Sequence, residues 1–106
     1  MGYHVHVYFD DSTEAQALEL RSKIERHPAN DGLGRFHPAP IGPHPCRQFQ
    51  VLVSDAHLES FISWLDGERD GLTVFFHPDI DDDMLAHTDL ARWLGEPHVL
   101  RLDRFT

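Results

Sequence analysis

The chain of 106 residues has a single cysteine, Cys46. That excludes an intrachain disulfide and a thiolate zinc site built within one chain, and it fits a reducing compartment. No apolar run approaches the roughly 20 residues of a membrane span. No signal peptide opens the sequence, because His4 and His6 stand where an apolar run would be needed. The expected location is cytoplasmic. Positive charge is also scarce: 9 Lys and Arg stand against 18 Asp and Glu, for a formal charge of −9. A surface of that sign repels nucleic acid and anionic membrane, so neither is expected as the main partner. Repeats, low-complexity segments and linkers are absent, and the length suits one domain, residues 1–106, with a small core.

What the chain does have is histidine, nine in all, as many as Lys and Arg combined. Histidine is the commonest metal ligand and the commonest acid/base near neutral pH, so the positions matter. Tyr3 to Phe9 alternates without a break. A strand sends successive side chains to opposite faces, so Tyr3, Val5, Val7 and Phe9 share a core face while His4, His6 and Tyr8 share the other.

Asp10 to Thr13 supplies helix caps, with Thr13–Gln16 or Asp11–Glu14 as a capping box. A helix is expected over 12–27, with Ala17, Leu20 and Ile24 on its buried side and Pro28 ending it. Residues 33–37 form a short strand candidate, and the four prolines between Pro38 and Pro45 mark a stiff loop. Gln48 to Val53 alternates again, with Phe49, Val51 and Val53 opposed to Gln48, Gln50 and Leu52. Leu58, Phe61, Ile62 and Leu65 draw an amphipathic helix stopped by Gly67. Residues 72–77 form a strand, with Leu72, Val74 and Phe76 on one face and His77 on the other. The acidic run Asp79 to Asp83 is read as capping of a helix over 82–94. Residues 98–105 read as a last strand.

The order matches an α+β, ferredoxin-like βαββαβ sandwich with an extra C-terminal helix and strand. Both helices cover one face of its antiparallel sheet. The first and last core strands lie side by side, which sets His4 beside His77, with His6 a step further along and Gln50 on the same open face. Opposed residues have Cβ atoms roughly 5 Å apart, so three imidazoles can converge on one ion at about 2.0–2.1 Å each. His44 joins them only if its proline-bounded loop folds inward, and His87 only from the helix after the fourth strand. Such a set suits Zn, Fe, Cu or Ni. A carboxylate from Asp79, Asp81, Asp82, Asp83 or Asp89 would have to swing in to make the two-histidine, one-carboxylate triad of non-haem iron. His27, His57 and His98 sit at element ends and are read as incidental. Tyr8, Phe75 and Leu52 on the open face suit either a pocket wall or a dimer interface.

These pieces together resemble the DOPA 4,5-dioxygenase family. The matching segments are His4-Val5-His6-Val7-Tyr8-Phe9, Phe36-His37-Pro38, Gly42-Pro43-His44-Pro45 with Gln48-Phe49-Gln50, and Gly71-Leu72 to His77-Pro78. Asp83-Met84-Leu85-Ala86-His87-Thr88 and Trp93-Leu94-Gly95 complete the set. The resemblance implies a ferredoxin-like homodimer with an extra strand beside the fourth. It implies extradiol cleavage of a small catechol-type aromatic substrate by O2 with Fe(II), zinc being an alternative occupant in purified protein. The family histidines map onto His4, His6, His44, His77 and His87. The implied metal ligands are His6, His44 and His77, with His4 as the fourth candidate, and the implied acid/base is His87, with His4 if it is not a ligand. Arg47 is expected to meet a substrate carboxylate, Gln50 a catechol oxygen, and Tyr8 to contribute to substrate binding. Cys46 has no activating partner and is a bystander. Ala86 stands where an acidic residue is expected in many relatives, so His87 must be oriented some other way. The competing readings are a non-catalytic metal or small-molecule module, a dimerisation domain, and a zinc hydrolase using the same ligands.

Overall fold

The alternation in the first strand decides which side of the sheet meets the helices. The structure, a computed structural model, describes residues 2–105. Its elements are β1 (Gly2–Phe9), α1 (Glu14–Glu25), β2 (Gly32–Leu33), β3 (Arg47–Ser54), α2 (Leu58–Glu68), β4 (Val74–Pro78), α3 (Asp83–Ala86) and β5 (Arg92–Leu94). A 3-10 turn, Asp55–His57, leads into α2. The sheet runs β2-β3-β1-β4-β5 with every pair antiparallel. This is the α+β, βαββαβ plan with one strand added beside β4.

Val5 and Val7 of β1, Val51 and Val53 of β3 and Val74 and Phe76 of β4 are buried beneath Leu20 and Ile24 of α1 and Phe61 and Leu65 of α2. Each such side chain contributes about 1.5–3 kcal/mol through burial. The stripe pairs one face of each helix with the odd-numbered face of β1, leaving His4, His6 and Tyr8 on the other. Among the described residues no helix is long and apolar enough to cross a membrane.

Local chemistry moves several boundaries. Neither capping box forms at α1. Thr13 occupies the cap position without a side-chain cap bond. Instead the Asp10 carboxylate accepts from the backbone N–H of Ser12 at 2.9 Å and of Thr13 at 3.1 Å. The expected strand over 33–37 shrinks to Gly32–Leu33, although the N–H groups of Gly34 and His37 still donate to the β3 carbonyls of Gln50 and Gln48. Gly67 lies inside α2, and the reversal falls at Asp70 (φ 51°) and Gly71 (φ 80°), where left-handed backbone suits glycine.

The largest departures are near the C-terminus. The expected helix over 82–94 lasts only from Asp83 to Ala86. Asp82 caps its start by accepting from Leu85 N–H at 2.9 Å. Side chains also bond its carbonyls: His87 Nδ1 shares Asp83 O, at 2.7 Å, with the His87 backbone N–H, and Thr88 Oγ1 donates to Met84 O at 2.6 Å. The chain turns, and Arg92–Leu94 pairs with β4, setting Trp93 opposite Phe75 with rings 4.6 Å apart. With that edge occupied, 98–105 forms no strand, only a 3-10 turn at Leu102–Phe105.

Candidate metal centre

Register builds the site from β1 outward. His4 is opposed to His77, His6 to Phe75 on one side and Gln50 on the other, and Tyr8 to Gln48. A βαββαβ sheet leaves this face uncovered, yet His6, Tyr8, Gln48, Phe75 and His77 are all buried. Two segments cover them. One is the proline loop: Gly42 adopts φ 57° and His44 N–H donates to Ile41 O at 3.2 Å, a tight turn that drops His44 inward. The other is the C-terminal segment, which brings in His87. The two meet where Arg101 N–H donates to Pro43 O at 2.7 Å.

Five imidazoles result. The His6 ring lies 4.3 Å from His44 and 5.3 Å from His77, His4 lies 5.2 Å from His77, and His87 lies 4.1 Å from His77. His4, His6 and His77 each offer a nitrogen within 4.8 Å of the others, a grouping able to hold a metal ion. Asp79 stands beside it, 3.4 Å from His4 Nε2 and largely exposed.

The hydrogen bonds fix the tautomers. His6 Nδ1 lies 2.9 Å from Gln48 Oε1, and His77 Nδ1 lies 2.9 Å from Pro78 O. Both oxygens only accept, so both Nδ1 atoms carry the proton. Neutral imidazoles then hold lone pairs on Nε2, and these two Nε2 atoms face each other at 3.2 Å. Two lone pairs at that distance repel unless a cation lies between them. Two metal–nitrogen bonds of about 2.1 Å at neighbouring coordination positions produce a separation of about 3 Å. A proton is the only other candidate, and burial disfavours it. Removal from water holds His6 well below the ordinary histidine range, with the neighbouring His44 adding to the effect. It holds His77 down to about 4. The donor set therefore fits a metal ion. Outer partners of this kind orient ligands and raise their basicity.

His87 follows the same pattern: Asp83 O takes its Nδ1 proton, so its Nε2 lone pair is free, and burial lowers its basicity. This is how His87 is oriented although Ala86 precedes it; Ala86 itself is buried. His44 differs. Burial holds it down to about 3. Its Nδ1 lies 2.8 Å from Tyr8 Oη, and burial raises the Tyr8 phenol, so Tyr8 keeps its proton. Among the described residues that hydroxyl has no other acceptor. It therefore donates to His44 Nδ1, and the His44 proton rests on Nε2.

Arg47 requires correction. It shares the helix-side face of β3 with Phe49, where Nη1 pairs with Asp11 at 2.8 Å and Glu14 at 3.2 Å and the guanidinium stacks over Phe9 at 4.6 Å. By alternation it points away from the imidazoles. Gln50, in contrast, lines a cleft that opens onto His6 and His44. Gln48 was the residue missed. It was placed on the open face without a role, and the signal was its position directly across from Tyr8, diagonal to His6. The His98 ring packs 5.2 Å from Tyr8. Cys46 is inert, since burial pushes its thiol up to about 11.

A model of the Dopa 4,5-dioxygenase family matches residues 3–104. The chain belongs to this family. Dopa 4,5-dioxygenase family membership agrees with its relatives. A "DOPA 4,5-dioxygenase" of Amanita muscaria is 30% identical over 94% of this chain, and an "Uncharacterized 21.2 kDa protein" of Botryotinia fuckeliana is 33% identical over 94%. The chain spans 47% and 61% of those two proteins respectively. The crystal structure of a "putative dioxygenase" from Nostoc punctiforme superposes with a TM-score of 0.89 at 32% identity, covering 98% of this chain and 90% of that one. Within the family frame, the outer-shell bond from His6 to Gln48 is directly testable. Replacing Gln48 with Leu removes the acceptor that fixes the His6 tautomer. Metal affinity, measured by competition with a chromophoric chelator, should weaken about 10–100-fold, while Gln48→Glu should retain it.

Proposed function

We propose that this domain cleaves a catechol-type ring with O2 in the extradiol manner, using Fe(II) held by His4, His6 and His77. The observation that carries the reading is the pair of Nε2 lone pairs 3.2 Å apart on His6 and His77, with His6 lining a cleft. Ferrous iron would supply the one-electron chemistry that lets O2 react with a closed-shell ring, and three imidazoles leave coordination positions for substrate and oxygen. The protein's own groups do the rest. The cleft, about 340 Å³, lies near the low end of small-molecule sites and suits a single ring. Gln50, which lines the cleft, hydrogen-bonds a catechol oxygen in this reading. His87, with a free Nε2 lone pair, takes a proton from a catechol hydroxyl, and His44, with its proton on Nε2, returns one to a developing oxyanion. Tyr8 holds His44 in that tautomer.

Anaerobic addition of Fe(II), then a catechol panel, then oxygen tests the reading. The expected result is a yellow ring-opened product with one O2 consumed per ring, and no turnover by the Zn(II)-loaded protein. Iron binding with no oxygen uptake on any catechol would overturn it and leave a metal-binding module.

A further inference from the structure

The cleft beside the imidazoles is lopsided in charge. Its lining includes Arg35 together with His37, Gln48 and Gln50, and no Asp or Glu is among its lining residues. That is unexpected in a chain with 18 Asp and Glu. Arg35 is exposed and, among the described residues, makes no hydrogen bond or ion pair. Four of the other seven arginines are committed: Arg21 to Gly34 O, Arg47 to Asp11 and Glu14, Arg69 to Asp66 and Arg92 to Glu59. The backbone around Arg35 is pinned on both sides. Gly34 N–H donates to Gln50 O at 2.7 Å and His37 N–H to Gln48 O at 3.2 Å. The Arg35 side chain therefore springs from a fixed point beside β3, the strand that carries Gln48 and Gln50, with its donors free.

We propose that this cleft selects catechols with a purely anionic tail, the dihydroxyphenyl carboxylates, over those with zwitterionic or cationic tails, and that Arg35 is the residue meeting the carboxylate. The inference rests on the ring-cleaving reading above. A planar guanidinium with free donors matches a carboxylate in two-point geometry. A zwitterionic tail gains the same contact but must bring an ammonium into a wall with no carboxylate, and a cationic tail meets only the guanidinium. The chain's overall negative charge does not reverse this order, because exposed charges beyond about 8 Å are screened at physiological salt. Asp31 and Asp79, the latter 3.4 Å from His4, are rivals for an ammonium, but they line a depression that shares no residue with this cleft.

The test compares four catechols on the iron-loaded protein: 3-(3,4-dihydroxyphenyl)propionate, DOPA, dopamine and 4-methylcatechol. The expected kcat/KM for the propionate exceeds that for DOPA by roughly tenfold, with dopamine lowest. Arg35→Gln should lower the propionate-to-methylcatechol ratio by roughly tenfold, and Arg35→Lys should retain most of it. The same ligands are titrated into metal-free protein by NMR, where the propionate should bind most tightly and shift the Arg35 side-chain signal. A preference for DOPA or dopamine in both assays overturns the proposal, as does an Arg35→Gln effect equal on all four. If the loaded protein turns over none of them, the ring-cleaving reading fails, and the binding order still decides the role of Arg35.

Discussion

His6→Ala should lose metal affinity by more than about 100-fold, beyond the roughly 10–100-fold that a lost outer partner costs. Three observations combine to make this residue the centre of the site. It is opposed on the sheet to both Phe75 and Gln50, so it lies at the middle of the buried open face. Its Nδ1 is committed to Gln48, and its Nε2 faces the Nε2 of His77. Removing it takes away one of two nitrogens already at the spacing two cis ligands require. His77→Ala should behave alike, and the double variant should be little worse than either single, because ligands of one ion act as a unit. His57→Ala is the control, since His57 is exposed and bonds only locally to Ser54. Metal content after dialysis against a buffered iron or zinc solution gives the readout, with urea unfolding to confirm that the variants fold. Full metal content in His6→Ala would move the site elsewhere.

The strength of that expectation follows from what could be read in the sequence. Period-two alternation in residues 3–9 and 48–53 assigns faces, and the element order then sets His4 against His77. The structure reproduces that pairing directly. Strands and amphipathic helices are legible because their periods depend on local geometry alone. The cover over the open face is not. His44 reaches the cluster through a turn at Gly42 and through Tyr8, and no periodicity encodes either. The C-terminal third misled for a related reason. Helix formers and acidic caps over 82–94 announce a helix, but β4 offers an unpaired edge, so pairing with the sheet wins over local propensity. The helix-side position of Arg47 is legible in the same alternation, since it shares parity with Phe49, not with Gln48. The tautomers of His77 and His87 depend on the Pro78 and Asp83 carbonyls, which any residue would supply, and so leave no trace in side-chain identity; those of His6 and His44 depend on the Gln48 and Tyr8 side chains.

The metal-free protein should lose stability steeply as pH falls from about 6.5 toward 4. The cause is the same burial that prepares the ligands. His6, His44, His77 and His87 are all held below the ordinary histidine range by removal from water, His77 to about 4 and His44 to about 3. In the unfolded chain these groups titrate near 6.5. Between those limits the unfolded state binds more protons than the folded one, so stability rises with pH and falls with acid. Their contribution is complete above about 6.5 and drains away as pH descends through the folded values. Each histidine that stays neutral in the fold should cost about 2 kcal/mol between pH 6.5 and 5. Carboxylates titrate mostly below that window and add little. Urea unfolding in EDTA at pH 7 and pH 5 measures the effect: the midpoint should fall with the m-value unchanged. Saturating metal should raise the midpoint at both pH values, because the ion binds the folded neutral imidazoles and not the unfolded chain. His77→Ala should reduce the pH dependence by its own share. Equal midpoints at pH 7 and 5 without metal would mean that the imidazoles charge inside the fold, and the lone-pair argument for a metal between His6 and His77 would then fail.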